Sequence, residues 1–571
     1  MEESATSTSN RDIAHAEGRV DGGPISEGLR GAIQQEVSRR KMLGLLGSGA
    51  AVGAISVSLP GFLAACAPSA PSPSGKVVET ITIAIPGSVR KVDSLISEIN
   101  HTTVNALALE GLLTFGNNFQ LVPALAESWT QPDLLTLIYN LRSGVKFWDG
   151  TPLTPDDVVN SINLAATSPD STWGFFFGNF KSIEASGPMQ VTIKLANPDP
   201  TFKYIVAIGG TRVFSKAFAA KQPISELGTS KVLNMGTGPY KFTAFQPDAS
   251  VSLERNDLYW GPKPIHKKIE LKILPDEATR ELAMRSGTID GAWALPLPNT
   301  PAWETIPNTK VYYAPGATVI YWAFNFDTPP FDDIHVRRAF AHCIDRKGLV
   351  QALLHGHGTE AFGMDPPEVW GDVLSYADAL AFYKSTPQFE FNIDQARNEL
   401  AQSKVPNGFS TEVTYPDYAP ELGLMAQNVS QNLKQIGINL KVTLQPTSLW
   451  TAQLTNNVAP LQVYPWLQDY GDPIEEPLLF CASSGAGPGG FNFAHYRNPT
   501  MDSLLTQQAM VTGSQRRDLI KQIHMIMATD LPYQPVWWAD IDIALNHAKI
   551  AYNILVWAYI YQTWGDDIVP A

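Results

Sequence analysis

The chain has 571 residues, 41 of them basic and 55 acidic, for a formal net charge of −14, with 43 glycines, 43 prolines and three cysteines. That balance repels a polyanion rather than steering one in, so nucleic acid is not an expected partner. The cysteines are too few for a disulfide framework or a zinc cage, and the chain is too long for one ordinary core, so at least two lobes are expected.

The first feature in chain order is Ser38-Arg39-Arg40-Lys41, followed by an uncharged run from Met42 to Ala65 that ends in Leu63-Ala64-Ala65-Cys66. The run is long enough to cross a bilayer, but Gly44, Gly47, Gly49, Gly53 and Pro60 make it a poor permanent anchor, which favours a cleaved export signal. The arrangement resembles a bacterial lipobox behind a twin-arginine signal. That resemblance implies Arg39 and Arg40 as the export signal, cleavage before Cys66, and lipid on the Cys66 sulfur. Several acyl chains on one residue would tether the mature chain outside the cytoplasm, in the periplasmic space or on the outer face of the cell membrane. Residues 1–37 are polar without apolar periodicity, and Ala67 to Gly75 is a Pro- and Ser-rich spacer. Removing residues 1–65 takes away 6 basic and 7 acidic residues, leaving 35 and 48, so the mature chain keeps a net charge of −13.

Strand and helix patterns then alternate, which predicts an α/β architecture. Leu137 to Leu141 and Val145 to Phe147 are expected to pair as a hairpin turned at Ser143-Gly144. Thr154-Pro155-Asp156-Asp157 carries a cap, a proline at the first helical position and an acid three residues after the cap. Ile269, Leu271 and Ile273 alternate as a strand, Asp276 caps a helix that stops at Gly287, and Ile289 to Trp293 is the next strand of a parallel crossover. One helix is expected over Val336 to Leu354. Leu422, Met425, Val429, Leu433 and Ile436 share a helical face ended by Gly437, and Ile438 to Leu444 follows at strand period.

The motifs of chemistry are mostly missing: there is no Gly-x-Ser-x-Gly elbow, His-Glu-x-x-His helix, Cys-x-x-Cys pair or phosphate-binding Gly-Lys-Ser/Thr loop. Gly485, Gly487 and Gly490 match a dinucleotide spacing, but Pro488 interrupts them and no helix pattern follows. His355-Gly356-His357 lacks a third and fourth metal ligand. No catalytic residue, metal or cofactor is therefore nominated. The segment Trp466-Leu467-Gln468-Asp469-Tyr470-Gly471-Asp472-Pro473 leaves the carboxyl end of a predicted strand, Leu461 to Tyr464, where open α/β sheets place ligands. An acid among aromatic rings there can pair with a ligand ammonium, although a solvated turn closed by Pro473 has the same pattern. Trp537, Trp538, Trp557, Tyr559, Tyr561 and Trp564 crowd the C-terminus, mostly as core residues.

Several stretches together resemble the peptide- and nickel-type family (family 5) of extracytoplasmic solute-binding lipoproteins of ATP-driven importers. They are Leu121 to Trp129, Tyr139 to Ile162, Gly236 to Phe242, Leu253 to Pro264, Pro329 to Val350 and the WLQDYGDP segment. The resemblance implies a type II periplasmic-binding-protein-like clamp with mixed sheets. Lobe I would comprise 77–111, 236–293 and 532–571, an additional subdomain 112–235, and lobe II 294–531, after a signal over 1–65 and a lipidated linker over 66–76. It implies a monomeric, non-enzymatic receptor that shuts on a small solute and delivers it to membrane permease subunits. In peptide-binding relatives the acid matching Asp469 holds the ligand's amino terminus. Asp469, Trp466 and Tyr470 are the expected ligand-binding residues. Dipeptide binders place an arginine in the segment matching Thr414 to Pro420, but Asp417 stands here, so longer peptides, opines, sugars and other cationic solutes stay open. A secreted hydrolase or a solute sensor is the reading from another class.

Overall fold

The computed structural model describes residues 78–96, 99–116, 119–552 and 564–571. Arg39, Arg40, Cys66 and the linker, together with Trp557, Tyr559 and Tyr561, lie outside the described residues.

A mixed nine-stranded sheet forms the frame. Its order is Leu461–Leu467, Thr309–Phe324, Tyr533–Asn546, Gly291–Trp293, Thr80–Ile85, Lys268–Ile273, Ser250–Arg255 and Tyr240–Gln246, with Gly358–Glu360 also paired to Tyr533–Asn546. Thr80–Ile85 lies parallel to both Lys268–Ile273 and Gly291–Trp293 and sits between them. The predicted crossover is thus present, with one strand inserted between its two ends. Its helix, Glu277–Arg285, begins where the Asp276 carboxylate accepts the Thr279 N–H at 2.7 Å, and Gly287 takes the left-handed conformation that ends it.

Two long strands join the halves of the frame. Thr309–Phe324 and Tyr533–Asn546 pair along their length, but the register breaks between Pro315 and Thr318. There Gly316 lets the backbones approach: a Cβ on it would lie 2.4 Å from the Ala539 carbonyl oxygen. Before the break, Val311 packs with Ala84, Met284, Trp303 and Ala544. Beyond it, Trp322 and Phe324 join Phe340, Leu349, Met425, Val429 and Trp537 in a separate core.

A second parallel pair, Ser410–Pro416 and Asn439–Gln445, is linked by the helix Pro420–Lys434. Its predicted face, Leu422, Met425, Val429 and Leu433, is fully buried, and Gly437 is left-handed as a helix stop requires. A four-stranded antiparallel sheet, ordered Ala126–Asp133, Thr136–Leu141, Gln190–Leu195 and Phe180–Gly187, packs with the helix Pro155–Thr167. That helix starts with the predicted capping box: the Asp157 carboxylate accepts the Thr154 N–H at 2.9 Å.

Two expectations are corrected. Thr136–Leu141 pairs with Ala126–Asp133 and Gln190–Leu195, not with Val145 to Phe147. The latter stretch enters its own turn, in which the Phe147 N–H bonds to the Thr151 carbonyl at 2.8 Å and Gly150 is left-handed. The helix expected over Val336 to Leu354 is two helices, Ile334–Ala341 and Arg346–Leu353. Asp345 breaks the run because its carboxylate accepts the Gly348 N–H at 2.9 Å, capping a new start.

Candidate functional site

The strand Leu461–Leu467 lies at one edge of the nine-stranded sheet and hands the chain to a buried turn. Glu475 builds that turn. Its carboxylate reaches back to accept the Asp469 N–H at 2.9 and 3.0 Å, the Tyr470 N–H at 3.0 Å and the Trp466 indole N–H at 3.4 Å. One side chain thus ties together all three residues expected to bind ligand. Asp469, Trp466 and Tyr470 are 3 %, 1 % and 5 % exposed. The bland alternative, a solvated turn, does not describe this segment.

Carboxyl groups are concentrated here. Asp365, Asp469, Asp472, Glu475 and Glu476 are all buried. Asp472 receives a bidentate pair from Arg516, 2.8 Å on each oxygen. Asp365 accepts from the Gln468 amide at 3.1 Å and lies 3.6 Å from the His524 ring, itself 2.6 Å from the Pro473 carbonyl oxygen. Burial, reinforced by Asp469, holds the Glu475 carboxyl well above the usual range. Burial, reinforced by Asp365, does the same for Glu476. Neither Glu476 oxygen finds a donor among the described residues. Burial also raises Asp365 and holds His524 below its ordinary value.

Aromatic rings line this turn. Tyr470 stacks on Tyr204 with centroids 5.5 Å apart, and Lys203 pairs with Asp372 at 2.7 Å beside it. These contacts join residues near 200 to those near 370 and 470. A chain of rings runs the other way, from Trp466 through Tyr464 and Trp450 to Tyr418 at centroid spacings of 6.3, 5.5 and 6.0 Å.

Tyr418 ends that chain on the wall of a cavity of about 590 Å³. Trp293, Arg280, Asp276 and Glu277 from the first half of the frame face Asp417 and Tyr418 from the second across it. The segment Thr414 to Pro420 therefore reaches this cleft, and it brings an acid. Among the described residues, Arg280 is the one basic side chain lining the cavity; it is 2 % exposed, and its Nη1 donates to the Leu274 and Pro275 carbonyl oxygens, both at 2.9 Å. Asp469, Trp466 and Tyr470 are not among the lining residues. Tyr470 instead lines a second cavity of about 200 Å³.

The other sequence candidates sit apart. The His355 ring lies 3.0 Å from the Pro298 carbonyl oxygen, whereas His357 stacks on Tyr313. Gly487 and Gly490 offer carbonyl oxygens to the Asn457 amide in a folded loop. Cys343 and Cys481 are free, buried thiols. Among the described residues, no helix is long and apolar enough to cross a membrane. Glu475 and Glu476 were within sight of sequence reading, since they directly follow the aromatic and acidic segment. Asp365, Arg516 and His524 carry no local signal, because only the tertiary fold brings them to this turn.

Relatives share this architecture. The structure of the ABC transporter-associated periplasmic binding protein DppA of Helicobacter pylori, in complex with the peptide STSA, superposes with a TM-score of 0.71 at 21 % identity, covering 86 % of this chain and 98 % of that one. In sequence, the chain is 29 % identical to the probable di/tripeptide-binding protein 5 of Pseudomonas aeruginosa over 76 % of this chain and 86 % of that protein. It is 27 % identical to heme-binding protein A of Haemophilus influenzae over 72 % and 78 % respectively. Residues 120–488 match the family model described as bacterial extracellular solute-binding proteins, family 5 Middle. This chain belongs to the bacterial extracellular solute-binding proteins of family 5.

Proposed function

We propose that the protein is the extracytoplasmic receptor of an ATP-driven importer, and that it captures a peptide or related amine-bearing solute and passes it unchanged to the membrane permease. The observation that carries the choice of solute is the buried carboxyl-rich turn, in which Glu475 fixes the backbone of Asp469 beside the Tyr470 ring. An ammonium entering such a site gains far more from a carboxylate than it would in water, and its arrival favours the ionised form of Glu475. Asp469 is the amine anchor in this reading, with Trp466 and Tyr470 as its apolar surroundings. Binding and release are the whole mechanism, because differential contact with the shut form is enough to drive closure.

The same reading assigns 77–111, 236–293 and 532–571 to lobe I, 112–235 to the additional subdomain and 294–531 to lobe II, with the hinge at the register break near Gly316. It also assigns Cys66 as the lipidated first residue behind a twin-arginine signal at Arg39 and Arg40. Calorimetry with tri- and tetrapeptides tests the solute. Asp469→Asn should weaken binding by about 2 to 5 kcal/mol if the ion pair is buried. An affinity unchanged by that substitution removes Asp469 from the site.

A further inference from the structure

The 200 Å³ cavity lies between residues 175–205 and residues 470–509, and it is lined by Glu475, whose carboxylate accepts the Asp469 N–H. Its walls hold more incompletely covered apolar surface than a packing defect leaves: Phe175, Phe176, Leu478, Leu479 and Phe491 are each only partly buried. A π-helical turn, Pro477–Cys481, follows Glu476 directly, and it presents the consecutive residues Leu478 and Leu479 to the same void. Such turns interrupt regular packing and recur at functional sites. The polar lining comprises Asn179, Asn197, Asp199, Thr201 and Gln508 together with the Glu475 carboxyl that secures Asp469. A void of this size suits a six-membered ring, for which an apolar cavity on the order of 150 Å³ is sufficient.

We propose that this cavity is a subsite for a ring-sized apolar group carried by the solute next to its amine, so that the receptor selects amine-bearing solutes with an aromatic or branched neighbour. The inference rests on the amine-solute reading above. Because one wall belongs to residues 175–205 and the other to residues 470–509, which the Tyr204 and Tyr470 stack also joins, an apolar guest would bridge the two and favour the form in which they are in contact.

The test uses the full chain, two peptides and a neutral probe. Phe-Ala-Ala should bind wild type at least tenfold tighter than Gly-Ala-Ala. Ala509→Trp, placed at the rim where the helix Pro499–Ala509 ends, should bring that ratio close to one by filling the void. Phe176→Ala, which removes a partly buried wall ring, should lower the ratio as well. Indole alone should raise the melting temperature of wild type with concentration, and Ala509→Trp should abolish that rise. Equal affinity of wild type for the two peptides, or a ratio that survives both substitutions, overturns the subsite. Failure of every peptide to bind, with the indole response present in wild type and lost in Ala509→Trp, overturns the amine-solute reading and upholds the apolar cavity.

Discussion

Asp542 sits in the strand Tyr533–Asn546 at 4 % exposure, with its carboxylate accepting the Leu295 N–H at 2.8 Å. Burial pushes it up to about 7, against the opposing pull of that N–H and of Arg280. Below about pH 4 the folded and unfolded chains both hold this proton, so Asp542 costs nothing there. As pH rises towards 7 the unfolded chain releases the proton while the folded chain keeps it, and stability on the order of 4 kcal/mol is lost across that window. Asp542→Asn should therefore gain on wild type steadily between pH 4.5 and 7.5 in urea melts. A gap between the two that stays constant with pH would contradict this. Nothing in the sequence marks Asp542 as special, since a carboxyl group's proton affinity follows from what packs over it. The same holds for Asp365, whose partners come from the turn after residue 467 and from His524. The segment around Asp469 stands out in sequence because ring, acid and proline lie close together, whereas Arg516 lies 44 positions from Asp472 and meets it only in three dimensions.

At the scale of elements, local signals were readable wherever a cap and an apolar stripe agreed. The starts at Asp276 and Thr154 and the stop at Gly437 are of this kind, because each depends on hydrogen bonds or dihedrals within a few residues. Pairing was harder to read. Thr136–Leu141 had the right alternation for a strand, but its partners were chosen by the sheet and not by the nearest turn. The Val336 run failed for the opposite reason: its apolar spacing continues through His342 to Asp345, while the Asp345 carboxylate competes for the backbone and restarts the helix. Asp345→Ala should cost about 1 kcal/mol of stability by removing that cap. Urea melts check it, and a variant as stable as wild type would show that the second helix starts without help.

The whole molecule is built on one shared sheet, with a continuous core that runs from Ile83 and Leu271 to Tyr464 and Phe480 and two smaller clusters packed apart from it. The strands Thr309–Phe324 and Tyr533–Asn546 carry the connection between its halves, with a register break beside Gly316. The 590 Å³ cavity is lined from both halves, by Trp293 and Arg280 on one side and Asp417 and Tyr418 on the other. Alternating elements foretold an α/β architecture and the family resemblance implied a clamp, but the shared sheet was not legible, because the strands that close it lie more than two hundred positions apart. The proposed receptor captures a solute with a free amine and gives it up intact. Native mass spectrometry of the full chain, mixed with a pool of free and amino-acetylated peptides and then denatured to release its guest, tests this most directly. The account predicts one guest per chain, unmodified and drawn from the free-amine members; recovery of a cleaved guest, or equal capture of acetylated peptides, would contradict it.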